Sequence, residues 1–203
     1  MEPDFCFGVV LLGNHNVGKS SLLSCYVNGK VPEKIKLTSG VEFLVKTIAE
    51  PCVTTKLKIW DTAGHERFKH IVQSHYTNHD GALLVYDIHD RKSYSDVKKW
   101  AEELNDWTLK PRKVIALVGN KADISENRVV PSEEAEKYAE RNGLIFWETS
   151  ATTNLNVNKC FLEVGQLNSD YSHAFNNLGN FFPAIAIRNA KKLLKHKRSS
   201  WYL

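Results

Sequence analysis

The feature that most constrains this chain is a glycine-framed octapeptide, Gly13-Asn14-His15-Asn16-Val17-Gly18-Lys19-Ser20. It matches G-x-x-x-x-G-K-[ST] and lies between an apolar run, Phe5–Leu12, and a helical pattern, Lys19–Asn28. Such a segment makes sense as a strand, a tight loop and a helix N-terminus in succession. Glycines let the backbone close around phosphate oxygens, and successive N–H groups then point inward at the positive end of the helix. Lys19 is placed to reach the outer phosphates, and the Ser20 hydroxyl to ligate magnesium. Ser21 extends the same phosphate-binding stretch.

Around this loop the chain alternates strand-like and helix-like segments. Glu42–Ala49 and Val53–Trp60 read as paired strands joined by a turn near Pro51. Ala82–Asp87 and Val114–Gly119 are short apolar runs, as expected of strands buried on both faces. Leu144–Glu148 reads as a last strand. Helices are expected over Tyr94–Trp107, Ser132–Asn142 and Asn154–Leu167, with Ser132-Glu133-Glu134 as a start and Gly143 as a stop. This alternation predicts an α/β fold, a mostly parallel sheet covered by helices on both faces.

The 203 residues leave room for one domain and a tail. Hydrophobic residues at 42% and charged residues at 25% are ordinary for a soluble globular chain. Phe5–Leu12 is far shorter than the ~20 residues of a membrane span. It follows Asp4 without a basic leader, so a buried strand is expected and not a signal peptide. Cys6, Cys25, Cys52 and Cys160 show no paired spacing, which points to reduced thiols and a cytoplasmic setting. After residue 168 there are six Lys/Arg against one acid, Asp170. The tail is thus +5 and residues 1–168 are −1, within a whole-chain charge of +4. A near-neutral body with a basic tail is not the charge distribution of a dedicated nucleic-acid-binding domain.

Two further motifs complete a nucleotide site. Asp61-Thr62-Ala63-Gly64 follows the apolar strand ending at Trp60. An acid there can hold magnesium through water, and the Gly64 N–H can meet the terminal phosphate. Asn120-Lys121-Ala122-Asp123 selects the base. The Asp123 carboxylate can accept both the ring N–H and the exocyclic amine of guanine, whereas adenine offers no such pair of donors. Asn120 is expected to tie this loop to the phosphate loop, and the Lys121 stem to cover one face of the base. Ser150-Ala151 follows the last strand, with the Ala151 N–H expected at the guanine carbonyl.

With Ser39-Gly40-Val41-Glu42-Phe43, Lys56–Trp60, Trp60–Phe68, Leu84–Asp87 and Glu148–Ala151, these motifs resemble the Ras superfamily of small GTPases, most closely its Rab branch. The resemblance covers roughly residues 5–168. It implies the P-loop NTPase three-layer fold, with about six strands, and a GTP/GDP switch that recruits effectors in vesicle traffic. Exchange-factor and activating proteins would act on the switch regions. Thr38, 18 residues after Ser20, matches the family's switch threonine and would join Ser20 and Asp61 at the magnesium.

Departures from the family bear on timing. His65 stands where most relatives carry the glutamine that orients the attacking water, so slowed hydrolysis is expected. His15 occupies a position where relatives have a small residue. It either crowds the terminal phosphate or swings aside as a solvent-facing loop residue. Asn16 tolerates left-handed backbone angles. Val31 replaces an aromatic that packs against the base, and Thr152 replaces the lysine after Ser-Ala, so weaker binding and quicker exchange are expected. Ser39 replaces an isoleucine of the effector surface. The alternatives are therefore an active Rab-type GTPase, with Lys19, Gly64 and His65 in catalytic roles, and a self-exchanging, weakly catalytic scaffold.

His65, His70, His75 and His79 cluster, but no cysteine or carboxylate at suitable spacing completes a metal site. Trp100 and Trp107 read as core residues. The family's prenylated C-terminal cysteines have no counterpart in Ser199–Leu203, and Met1-Glu2 excludes an N-terminal myristoyl glycine. A truncated or alternative C-terminus would also produce this ending. Residues 169–203 remain open between a solvated, partly disordered tail and an amphipathic helix. In the second case Ile187, Ala190, Lys191 and Leu194 would lie on an anionic intracellular membrane.

Overall fold

The computed structural model describes residues 2–32, 38, 40–49, 53–63, 79–106 and 114–178. Among them are six strands: β1 (Phe5–Leu12), β2 (Val41–Ala49), β3 (Thr54–Thr62), β4 (Gly81–Asp87), β5 (Val114–Asn120) and β6 (Ile145–Glu148). The four described helices are α1 (Lys19–Asn28), α2 (Arg91–Asp106), α3 (Ser132–Asn142) and α4 (Val157–Leu178). The sheet order is β2-β3-β1-β4-β5-β6, and every neighbouring pair is parallel except β2 with β3. This is the expected three-layer P-loop arrangement.

Strand alternation divides the interior into two cores. On β1, Val9 and Leu11 face one side with Leu22 and Tyr26 of α1 and Phe161 and Val164 of α4. Val10 and Leu12 face the other, with Tyr94 and Val97 of α2 and Ala135 and Ala139 of α3. Successive side chains of a strand leave opposite faces, so a continuous apolar run is what a doubly covered central strand needs. Edge strand β2 is different: Phe43, Leu44 and Val45 are exposed. Trp100 is partly buried against the second core, in keeping with its core reading.

The last helix differs from the sequence expectation. It runs to Leu178, well past Leu167, although Asn and Ser accumulate there. Asn168 and Ser169 are buried and donate to the carbonyls of Val164 and Gly165, one turn back, at 2.9 and 3.2 Å. Ser169 also shares a 2.9 Å hydrogen bond with Thr55 of β3. Polar residues at the expected end of the body are thus satisfied inside the packed fold, which removes their usual penalty for burial. Among the described residues no helix is long and apolar enough to cross a membrane. Ser39, Gly64, His65, His70, His75, Trp107 and the tail from residue 179 lie outside the described residues.

Candidate functional site

The carboxyl ends of β1, β3, β4 and β5 converge on one edge of the sheet, where ligands of open α/β folds bind. The loop from β1 to α1 needs backbone angles that few side chains permit. Gly13 has φ +147°, and a Cβ there would lie 2.1 Å from the Val85 carbonyl oxygen. Gly18 has φ +94°, and its Cβ would strike the Asn120 side chain at 2.3 Å. Asn16 also takes a positive φ, 66°, as its type allows. Val17 is buried under the loop, whereas His15 is exposed on it.

Lys19 is buried, and its Nζ donates to the carbonyls of Gly13 and Asn14, at 2.9 Å each. Burial lowers its ammonium to about 8, against the opposing attraction of Asp61. The Asn14 side chain donates to Asp96 of α2 at 2.8 Å, pinning the loop from outside. Burial raises the Asp96 carboxyl, but hydrogen bonds from Asn14 and Lys99 outweigh it and hold the group low.

Ser20 donates to Asp61 Oδ2 at 2.5 Å and lies 3.0 Å from Thr38 Oγ1, which in turn is 3.4 Å from the same carboxylate oxygen. Asp61 Oδ1 is buried with no hydrogen-bond partner. Burial raises the Asp61 carboxyl, opposed chiefly by Ser20 and Lys19. Two hydroxyl oxygens around one carboxylate, with a buried lone-pair oxygen left over, make a set of hard donors that fits magnesium. Ser21 is buried beside this cluster.

Asn120 is buried at the end of β5 and joins the two halves of the site. Its Nδ2 donates to the Val17 carbonyl at 2.8 Å, while its Oδ1 accepts from Thr149 at 3.3 Å. Lys121 takes φ +68° and directs its Nζ to Asp87 Oδ2 at 2.6 Å. Asp87 Oδ1 meets His89 Nδ1 at 2.9 Å, and His89 Nε2 lies 3.0 Å from the Ile124 carbonyl. Burial raises Asp87, yet hydrogen bonds from Lys121 and His89 prevail and lower it. Asp123 is exposed at the loop tip and accepts from Thr152 Oγ1 at 3.3 Å. Ser150 and Ala151 are buried just behind it.

The phosphate loop, the Ser20–Thr38–Asp61 cluster and the Asn120–Asp123 loop therefore share one sheet edge. Gly64 and His65 fall outside the described residues. Val31 packs partly buried against the first core. Sequence reading missed Asp87, His89, Asp96 and Thr149. The signal for Asp87 lay in register: it ends β4 directly beside Asn120.

Comparison with known proteins gives a consistent picture. The model of the Ras family matches residues 8–169. The chain is 45% identical over 163 residues to "Ras-related protein rab-11.1" of Caenorhabditis elegans, covering 80% of this chain and 77% of the relative. It is 44% identical over 161 residues to "Ras-related protein RGP1" of Oryza sativa subsp. japonica, covering 79% and 71%.

Proposed function

Because the chain belongs to the Ras family, in its Rab-like branch, and is thereby a GTP-binding switch and GTPase, we propose that it cycles slowly, hydrolysing GTP under the handicap of His65. The observation that carries the site assignment is the Asn120–Val17 hydrogen bond. It locks the base-reading loop to the phosphate loop, so one rigid unit holds both ends of a nucleotide.

In this reading the backbone of Gly13–Ser20 surrounds the phosphates and Lys19 places its ammonium on the outer ones. Ser20, Thr38 and Asp61 hold magnesium, which when bound neutralises phosphate charge. Asp123 and the Ala151 N–H read guanine, and Lys121, tethered by Asp87, lies along the base. Water attacks the terminal phosphorus in line while the bond to the bridging oxygen breaks, and Lys19 and the Gly64 N–H stabilise the charge that develops. His65 must position that water with an imidazole. The exposure of His15 supports the solvent-facing alternative for that residue, so the slowing is assigned to His65.

The switch regions would engage effector, exchange-factor and activating proteins, with a role in intracellular vesicle traffic proposed from the Rab-like relatives. The basic tail would add a weak, salt-sensitive contact with anionic membrane, about 1 kcal/mol per basic residue near the surface. The test is single-turnover phosphate release from GTP-loaded protein. His65→Gln should be at least about tenfold faster than wild type. Equal rates would overturn the slow-hydrolysis assignment.

A further inference from the structure

Thr152 replaces a residue that would pack on the base, yet its hydroxyl is not idle. Its Oγ1 lies 3.3 Å from Asp123 Oδ2 and 3.2 Å from Ser150 Oγ, and Ser150 Oγ accepts from the Thr153 N–H at 3.2 Å. The direction of each bond follows from the donor inventory. An ionised carboxylate only accepts, so the single Thr152 proton goes to Asp123. Thr152 therefore has no proton left for Ser150, and Ser150 must donate to it. The result is a one-way relay from the Thr153 N–H through Ser150 and Thr152 to Asp123.

The geometry points to Thr152 as a positioning residue that sets guanine specificity, by orienting the Asp123 carboxylate for two donors at once. This rests on the assignment of Asp123 as the base reader. Asp123 is exposed at a loop tip, where an unrestrained carboxylate turns freely about its side-chain bonds. The relay anchors it to Ser150, which is fully buried and whose own N–H is bonded to the Leu155 carbonyl at 3.1 Å. Each carboxylate oxygen has two lone pairs. Oδ2 can therefore accept from Thr152 and from guanine together, leaving Oδ1 for the second guanine donor. A chain of hydrogen bonds with one polarity strengthens its members, and here it ends on a charge. Ala122 and Thr149, joined by a 3.0 Å backbone bond, keep the two loops at the spacing the relay needs.

Hypoxanthine keeps the ring N–H of guanine and lacks the exocyclic amine, so it isolates the two-donor match. The affinities of GDP and IDP are measured by competition against a ribose-labelled fluorescent GDP, with magnesium. In Thr152→Val the GDP-over-IDP preference should fall about fivefold, the scale of one charge-assisted hydrogen bond discounted for exposure. Thr152→Ser should restore it. Thr152→Ala is a second hydroxyl-free variant, and thermal unfolding reports whether each variant is folded. Equal weakening of GDP and IDP, or no change in the preference, would overturn the relay, because a merely structural role moves both nucleotides together. Asp123→Ala separates the two levels of the argument. If it leaves GDP affinity intact, the base-reader assignment itself is wrong. If it weakens GDP while Thr152→Val leaves the preference unchanged, only the relay fails.

Discussion

Raising the pH from 7 to 8.5 should weaken nucleotide binding through Lys19, and the size of the effect can be worked out from its surroundings. Lys19 is 6% exposed, its amine rests on two backbone carbonyls, and burial brings its pKa down to about 8. Phosphates placed against it favour the charged form, so binding raises this pKa. Protein without nucleotide carries the proton on about nine-tenths of its Lys19 at pH 7 and on about a quarter at pH 8.5. If the bound amine stays protonated throughout, affinity falls about fourfold across this window and binding takes up about half a proton at pH 8. Titration calorimetry at pH 8, in buffers of different ionisation enthalpy, counts that proton directly. The window leaves the guanine ring N–H protonated, so the base contributes little. Folding stability of the nucleotide-free protein moves the other way. Between pH 8 and 10 the unfolded chain holds a proton on Lys19 that the folded protein has released, so this residue makes stability rise with pH. A flat affinity with no proton uptake at pH 8 would refute the reasoning.

The remaining expectations concern single side chains. Asp87→Asn removes the anion that holds Lys121 and should speed GDP dissociation about threefold to tenfold, followed by the fluorescence of a labelled nucleotide; an unchanged rate would mean that the Lys121 stem keeps its place unaided. Phe161→Ala deletes a fully buried ring stacked on Tyr26, with centroids 4.2 Å apart, and should cost about 3–5 kcal/mol in denaturant unfolding. A loss below about 1 kcal/mol would show that α1 and α4 repack without it.

What the sequence made legible was local. The loop over Gly13–Ser20 and the reader over Asn120–Asp123 are continuous segments, and their chemistry needs only neighbouring residues plus a strand before them. The sheet was legible for a similar reason: β4 and β5 are almost wholly buried, and a strand covered on both faces must be apolar at every position. What escaped notice were contacts made across the chain. Asn14 meets Asp96 from 82 residues away, and Thr152 meets Asp123 from 29. Thr152 was read by comparison with what relatives carry at the position, which registers the loss of a lysine stem but not the gain of a hydroxyl, and Asn14 was read only as a member of the loop. The end of α4 failed for a related reason. Composition placed the end of the helix at Leu167, just before Asn168 and Ser169, and only the turn below and Thr55 across the interface supply their partners.

These cross-chain contacts change how the departures at the base should be weighed. Val31 and Thr152 were both expected to loosen the nucleotide. Thr152, however, exchanges a stem over the base for a donor to the carboxylate proposed to read it, and His89 braces the same loop through Asp87 and the Ile124 carbonyl. The loop is held at Asn120 by Val17 and Thr149, at Lys121 by Asp87, and at Asp123 by Thr152. Three successive anchors leave little freedom for a base reader to open on its own. Together with the slow hydrolysis proposed for His65, a braced base site would make a switch that stays loaded until a partner acts on it, whereas the scaffold alternative requires spontaneous exchange. The two separate cleanly by experiment, since a braced site releases GDP slowly in magnesium and a self-exchanging one does not.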